Sequence, residues 1–367
     1  MKTVCFFSGD ITRGGGTERA AVTVAGGLAA RGGYRILVLS LTEQSEKLFF
    51  PLHDGVEHFA LGDKWLNPGP GYLKVIPKLR HFLQERDIDV IVDIDIVLDV
   101  LSLPASRGLK TKVVSWEHFN CEYELTSLYR RFILKYSVKR TDYVVTLTDR
   151  DRVSYGEQLG RREHISVVGN PIPEAVEEDG AERENRLITV GNLVPVKGLD
   201  YLGQVAVKIL KKHPDWKWLI VGEGSERAYL ERLIQENNLQ EQLILTGRVS
   251  DVASYLRRAK IFVLTSRREG LPMCLLEAML YKLPAVSFDV ATGPAEIMED
   301  GVNGYLVKPY DCVAMADKLE LLMENESLRQ RFSENTHCKL ERFQTENVLK
   351  SWNNILERLL GSGEAQS

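Results

Sequence analysis

Two glutamates, Glu269 and Glu277, stand in the stretch Thr265 to Ala278, TSRREGLPMCLLEA. The apolar run KIFVLTS, Lys260 to Ser266, is followed at once by Glu269, Gly270, Leu271 and Pro272, and then by the helical pattern Met273-Cys274-Leu275-Leu276-Glu277. This reads as a buried strand, a tight turn and a helix opening at about Pro272, since proline suits the first helical turn. Glu269 is thereby expected at the carboxyl end of a parallel strand, beside the electropositive start of a helix, with Glu277 about two turns further along. Open α/β sheets bind their ligands at that edge. The plainer alternative is that Glu269 caps the turn and Glu277 is a solvated helix residue.

Further polar residues fall at other expected strand ends. Gly14, Gly15 and Gly16 follow the strand TVCFFS and precede Thr17, a candidate N-cap, so that free N–H groups could face a phosphate. His118 follows KVVSW in Glu117-His118-Phe119-Asn120, and Lys197 lies in the turn GNLVPVKG that closes RLITVG and begins Gly191-Asn192. Gly222 and Gly224 follow WKWLIV, while Arg248 and Val249 follow LILTG. Each alone also fits an ordinary turn or a structural histidine.

The order of these pieces carries more than any one of them. A strand, S-x-x-E-G-x-P and then L-L-E-A-M resembles the nucleotide-sugar signature of the retaining glycosyltransferases of family 4, which have the two-domain GT-B fold. The resemblance implies that Glu269 holds hydroxyls of the donor sugar and Glu277 the ribose of the nucleotide. GNLVPVKG is similar to the family's G-R-L-x-x-x-K-G turn, which implies a diphosphate contact for Lys197 and places Asn192 where arginine is usual. A neutral amide cannot supply that arginine's bidentate, charged contact. By the same resemblance Gly222, Gly224, Arg248 and Val249 underlie the nucleotide, Gly270 to Leu275 (Gly270, Leu271, Pro272, Met273, Cys274, Leu275) line the donor, and Gly15 and Gly16 lie near the diphosphate and the acceptor. His118 lies beside the donor sugar, and Asp289-Val290-Ala291-Thr292-Gly293-Pro294 matches a segment of the family's bacterial polysaccharide subgroup.

These residues need a scaffold of alternating strands and helices, which the sequence provides twice. YRILVLSL, VEHFAL, DVIVDI, TKVVSW, YVVTLT and HISVVG continue the first set, and RLITVG, WKWLIVG, LILTG, KIFVLT, LPAVSF and GYLVK form the second. The expected fold class is α/β, GT-B, with two doubly wound parallel sheets. Asn170-Pro171-Ile172-Pro173 and the acidic run after it read as a linker. The expected domains are 1–170, joined by a C-terminal helix over 345–361, and 171–344.

A chain of 367 residues suits two domains, and its 44% hydrophobic and 27% charged residues are ordinary for globular proteins. MKTVCFFSGD reads as a first strand, not a secretory signal, and the five scattered cysteines lack metal-ligand spacing and fit reduced cytoplasmic thiols. The net charge of −4 argues against nucleic acid, and it divides as +2 up to Ile172 and −6 beyond. Within the basic half, Leu128 to Arg140 carries five cations and no acid. Helical spacing predicts that Tyr129, Phe132, Ile133 and Tyr136 pack on the sheet while Arg131, Leu134, Lys135 and Val138 face outward, toward anionic lipid, pyrophosphate or solvent. Asp93 and Asp95 in DVIVDID have the spacing of a metal motif but are assigned to structure or acceptor contact.

The resemblance therefore implies a metal-independent enzyme without a cofactor, moving a hexose or N-acetylhexosamine from a nucleotide sugar, most simply a UDP-sugar, to a glycan or polyprenyl-diphosphate-linked acceptor. Its expected place is the cytoplasm, peripheral to the inner face of the membrane. Two alternatives remain at this point: a UDP-sugar epimerase of the same fold, and a non-catalytic nucleotide-sugar-binding subunit.

Overall fold

A strand covered on both faces is mostly apolar, and Val90–Ile94 is buried at all five positions, Asp93 being its one polar residue. The computed structural model describes residues 1–62, 74–121, 128–172, 180 and 182–361. It divides into two compact units, Met1–Pro171 with Arg342–Ser367, and Ile172–Glu341. Pro173 and most of the acidic run after it lie outside the described residues.

The first unit holds β1 (Lys2–Ser8), β2 (Tyr34–Ser40), β3 (Val56–Ala60), β4 (Val90–Ile94), β5 (Lys112–Trp116), β6 (Tyr143–Thr146) and β7 (Ile165–Val167). They form one parallel sheet in the order β3-β2-β1-β4-β5-β6-β7, reversing direction of travel at β1 and β4. The second holds β8 (Arg186–Val190), β9 (Lys217–Val221), β10 (Leu243–Gly247), β11 (Ile261–Leu264), β12 (Ala285–Phe288) and β13 (Gly304–Val307). Their order is β10-β9-β8-β11-β12-β13, all parallel, with the reversal between β8 and β11. Such switch points open a crevice at the strands' carboxyl ends. The doubly wound fold class expected from the sequence is what the chain adopts.

The last helix, Thr345–Gly361, belongs to the first unit. Trp352 is fully buried, with its ring 4.7 Å from Trp116 and 5.9 Å from Phe6. Gly27 permits the approach, since a Cβ there would run into Leu349. Arg31 adds an ion pair to Glu346 and Tyr34 a hydrogen bond to Asn353.

Two local expectations are corrected. The helix Gly16–Arg31 starts one residue before Thr17, with Gly15 at the N-cap and no side-chain cap. Glu18, nearly buried, instead accepts from Arg13 at 2.8 and 3.1 Å, and a Cβ on Gly15 would strike its carboxylate. The helix Leu128–Val138 buries Ile133, Leu134, Ser137 and Val138 and leaves Leu128, Tyr129 and Phe132 86%, 54% and 67% exposed. Helical period permits either of two adjacent faces, and the pocket against Cys121, Val144 and Tyr155 takes the compact Leu134 and Val138. The bulkier aromatic rings stay outside, where Phe132 stacks on Tyr136.

Behind β4 lies a pair of buried carboxyls. Asp93 accepts from Ser102 at 2.6 Å, and burial, then the neighbouring Asp99 carboxyl, raises it well above the usual carboxylate range. Burial also pushes Asp99 up to about 7, against the pull of Asp93, Ser137 and Ser115. The folded chain thus keeps protons that the unfolded chain releases, so this contribution to stability is whole below about pH 4 and lost as pH rises toward 7. Asp99→Asn should leave stability nearly unchanged at pH 4.5 and raise it at pH 8 by on the order of 2 kcal/mol. Urea unfolding at the two pH values checks this, and an equal effect at both would remove the shared-proton account.

Candidate functional site

In the second unit the loops after β8, β9, β10, β11 and β12 bring most of the singled-out residues to one edge. Their approach is a matter of missing side chains. A Cβ on Gly222 would run into the Gly191 carbonyl, and one on Gly224 into the Leu193 carbonyl. The turns after β8 and β9 therefore pack backbone to backbone, with Gly191 N–H donating to Val221 at 3.0 Å and Leu193 N–H to Glu223 at 2.8 Å. Gly222 N–H reaches the Gly247 carbonyl at 3.0 Å, joining the turn that leads to exposed Arg248 and half-buried Val249. Asn192 is exposed in this group.

The loop after β8 makes a second close approach, to β11. Gly198 adopts φ 63°, where glycine is favoured, and a Cβ there would strike the Thr265 carbonyl. Thr265 Oγ1 donates to the Lys197 carbonyl at 3.0 Å. Lys197 Nζ is thereby set 2.7 Å from Glu269 Oε1, with the lysine side chain 25% and the glutamate side chain 9% exposed. Burial pulls the lysine pKa down, but Glu269, chiefly through its charge, outweighs this and leaves the ammonium above its ordinary value. A charged ammonium beside a shielded carboxylate is therefore the resting state of the edge.

Glu269 directly precedes Gly270, Leu271 and Pro272, and the helix Met273–Leu280 opens with Pro272 at its N-cap, one residue from the expected start. Leu275 and Leu276 N–H donate to the Pro272 carbonyl, which leaves the first-turn N–H groups of Met273 and Cys274 at the helix end that follows Glu269. Cys274 lies in that turn. Burial pushes its thiol up to about 12, Lys197 pulling down and Glu269 and Glu277 pushing up, so it stays protonated at neutral pH. Glu277, three residues on in the same helix, falls on the same face as Cys274. Leu271, Pro272 and Leu275 are buried, and Met273 and Glu277 are half-buried.

A third loop, after β12, was matched in the sequence but its contact was not foreseen. Thr292 Oγ1 donates to the Glu269 carbonyl at 2.5 Å, and Gly293 at φ 99° lies so near that a Cβ would meet Pro272 Cδ at 2.7 Å and the Gly270 carbonyl at 2.9 Å. Arg267, passed over entirely, ties the Pro195 and Val196 carbonyls to the segment before Glu269.

His118, Gly15 and Gly16 belong to the first unit. His118 follows β5, is 6% exposed, tilts over Trp116 at 4.6 Å, and has no partner for Nε2 among the described residues. Burial lowers it to about 3, so the imidazole is neutral at physiological pH. Gly15 and Gly16 start the helix whose first turn already holds the Glu18 carboxylate.

Models of two families match the chain in succession: Glycosyltransferase Family 4 over residues 14–176 and Glycosyl transferases group 1 over residues 173–338. An uncharacterized glycosyltransferase of Haemophilus influenzae is 30% identical across 97% of this chain and 100% of its own. The amylovoran biosynthesis glycosyltransferase AmsD of Erwinia amylovora is 28% identical across 94% of this chain and 97% of its own. Among solved structures, S. aureus TarM in complex with UDP and alpha-GlcNAc-glycerol superposes with a TM-score of 0.68 at 25% identity, covering 77% of this chain and 58% of that one. The paired glutamates, the lysine turn and the glycine contacts thus sit in a sequence related along its whole length to these enzymes, and the chain belongs to the group 1, family 4 glycosyltransferases of GT-B fold, with relatives in bacterial polysaccharide synthesis.

Proposed function

We propose that this glycosyltransferase moves a hexose or N-acetylhexosamine from a UDP-sugar to a glycan or polyprenyl-diphosphate-linked acceptor in bacterial surface-glycan assembly, with retention of anomeric configuration. The Lys197–Glu269 pair at the start of the helix Met273–Leu280 carries the reading. In the reaction the bond from the anomeric carbon to the diphosphate oxygen breaks, and its electrons leave with UDP. The Lys197 ammonium and the first-turn N–H groups offset that charge without a metal ion. The acceptor hydroxyl attacks from the face the diphosphate leaves, and its proton passes to a donor phosphate oxygen. Glu269 orients the sugar hydroxyls and supports positive charge on the ring, Glu277 holds the ribose, and the turns at Gly222, Gly224, Arg248 and Val249 receive the uridine. Neutral His118 holds a sugar hydroxyl. The UDP and alpha-GlcNAc-glycerol bound to the TarM mutant support UDP and N-acetylhexosamine, and the AmsD relation supports a polysaccharide acceptor.

The acceptor's lipid would place the enzyme on the cytoplasmic face of a membrane, and no helix among the described residues is long and apolar enough to cross one. The helix Leu128–Val138 suits such a surface. Leu128, Tyr129 and Phe132 are exposed together with Arg131 and Lys135, and Lys139 and Arg140 follow, so apolar insertion and attraction to anionic headgroups act on one patch.

Nucleotide release across UDP-, GDP- and ADP-sugars, with and without polyprenyl-diphosphate glycans, tests the reaction. Acceptor-dependent release from one UDP-sugar is expected, and Glu269→Gln should lower kcat about 100-fold or more with UDP affinity changed far less. Turnover of the donor alone would indicate an epimerase. UDP binding without release would favour the binding subunit, a reading to which the neutral Asn192 lends support. For the surface, flotation with phosphatidylglycerol vesicles should carry the wild type and carry Phe132→Asp several-fold less, with thermal unfolding unchanged. Equal flotation of both would dismiss the patch.

A further inference from the structure

We infer that Arg267 is a positioning residue that braces the Lys197 loop against the Glu269 strand end, so that the diphosphate-binding cation and the sugar-binding carboxylate keep one fixed spacing. Its part in catalysis rests on the donor-site reading above; its bracing does not.

The loop needs a brace. Pro195–Lys197 is a single 3-10 turn closed by Lys197 N–H to Val194 at 2.9 Å and Gly198 N–H to Pro195 at 3.1 Å. One such turn fixes little by itself. Arg267, three residues after β11, makes two contacts to this turn and a third to Asp200 in the helix that follows it. Its backbone N–H donates to the Val196 carbonyl at 2.8 Å, Nη1 to the Pro195 carbonyl at 2.7 Å, and Nη2 to the Asp200 carboxylate at 2.6 Å. The guanidinium also lies 4.5 Å from the centre of the Tyr201 ring, and Tyr201 in turn stacks on Tyr310 at 5.1 Å. Tyr310 is held there at φ 69°, a backbone region that a bulky residue rarely occupies. A planar guanidinium can bond a carbonyl and a carboxylate in two directions while stacking on a ring, and a lysine cannot do all three. Arg267 is two residues from Glu269, so each contact it makes to residues 195–200 fixes Lys197 relative to that glutamate.

Arg267→Met and Arg267→Lys in the full chain separate bracing from donor binding. In the nucleotide-free protein, hydrogen exchange at the Lys197 and Gly198 amides should quicken about tenfold or more in Arg267→Met and less in Arg267→Lys, with protection of β11 retained. UDP affinity by calorimetry should fall about tenfold in Arg267→Met, and the substitution should cost nothing further in a Lys197→Ala background, because its effect passes through that ammonium. Unchanged exchange at the two amides, or losses of UDP affinity that add in the double variant, would overturn the inference. Faster exchange in a protein whose wild type binds no UDP would uphold the brace and sink the donor-site reading.

Discussion

At the second unit's carboxyl edge an ammonium and a carboxylate meet in one contact, Lys197 Nζ to Glu269 Oε1 at 2.7 Å. Neither partner could stay charged alone at that depth without a cost of several kcal/mol, whereas the pair roughly breaks even against an apolar substitute. The contact is therefore poorly explained as a source of stability. Its value lies in holding an ammonium and a carboxylate charged, close together and only partly covered, where a ligand bearing both phosphates and hydroxyls can engage each. The raised lysine pKa is the signature of that arrangement, since burial by itself would have moved it the other way.

The contact exists because β8 and β11, far apart in sequence, are neighbours at the sheet's reversal. Two turns leaving adjacent parallel strands can touch only if their backbones approach closely, and Gly198 against Thr265 provides that approach as Gly222 and Gly224 do for β8 and β9. Thr292 and Gly293 from β12 close the third side on Glu269. Consecutive strand ends thus share one small volume, and the glycines are the positions where a side chain would push them apart.

How legible this was in the sequence depended on range. Apolar runs such as YVVT and IFVL marked the strands inside each sheet, where both faces are buried, while the edge strand VEHFA keeps Glu57 half-buried and His58 exposed. Pro272 marked the helix start to within one residue. The turn motifs identified Glu269, Lys197 and the glycines by their order along the chain. What failed were choices that only packing decides. The helix Leu128–Val138 has two apolar faces one residue apart, and the shape of the space beside Tyr155 selects between them. Arg267 fills an unspecified position of S-x-x-E-G-x-P, and a guanidinium's bond to a carbonyl seventy-two residues away leaves no local trace.

Burial acts on the polar groups site by site, and at Lys197 and His118 its effect suits the chemistry proposed. In the second unit burial is incomplete and a carboxylate keeps Lys197 charged, as a departing diphosphate requires. In the first, burial leaves His118 neutral and raises Asp99, while at Asp89, also buried, it is outweighed by a Thr3 N–H and Lys110, which hold the carboxyl below the usual carboxylate range. For a sugar whose ring becomes positive in the transition state, an imidazolium would repel the developing charge, while a neutral imidazole can still bond a hydroxyl. Burial of His118 against Trp116 removes the protonated form, and under the proposed reaction a neutral imidazole would remain to bond the hydroxyl.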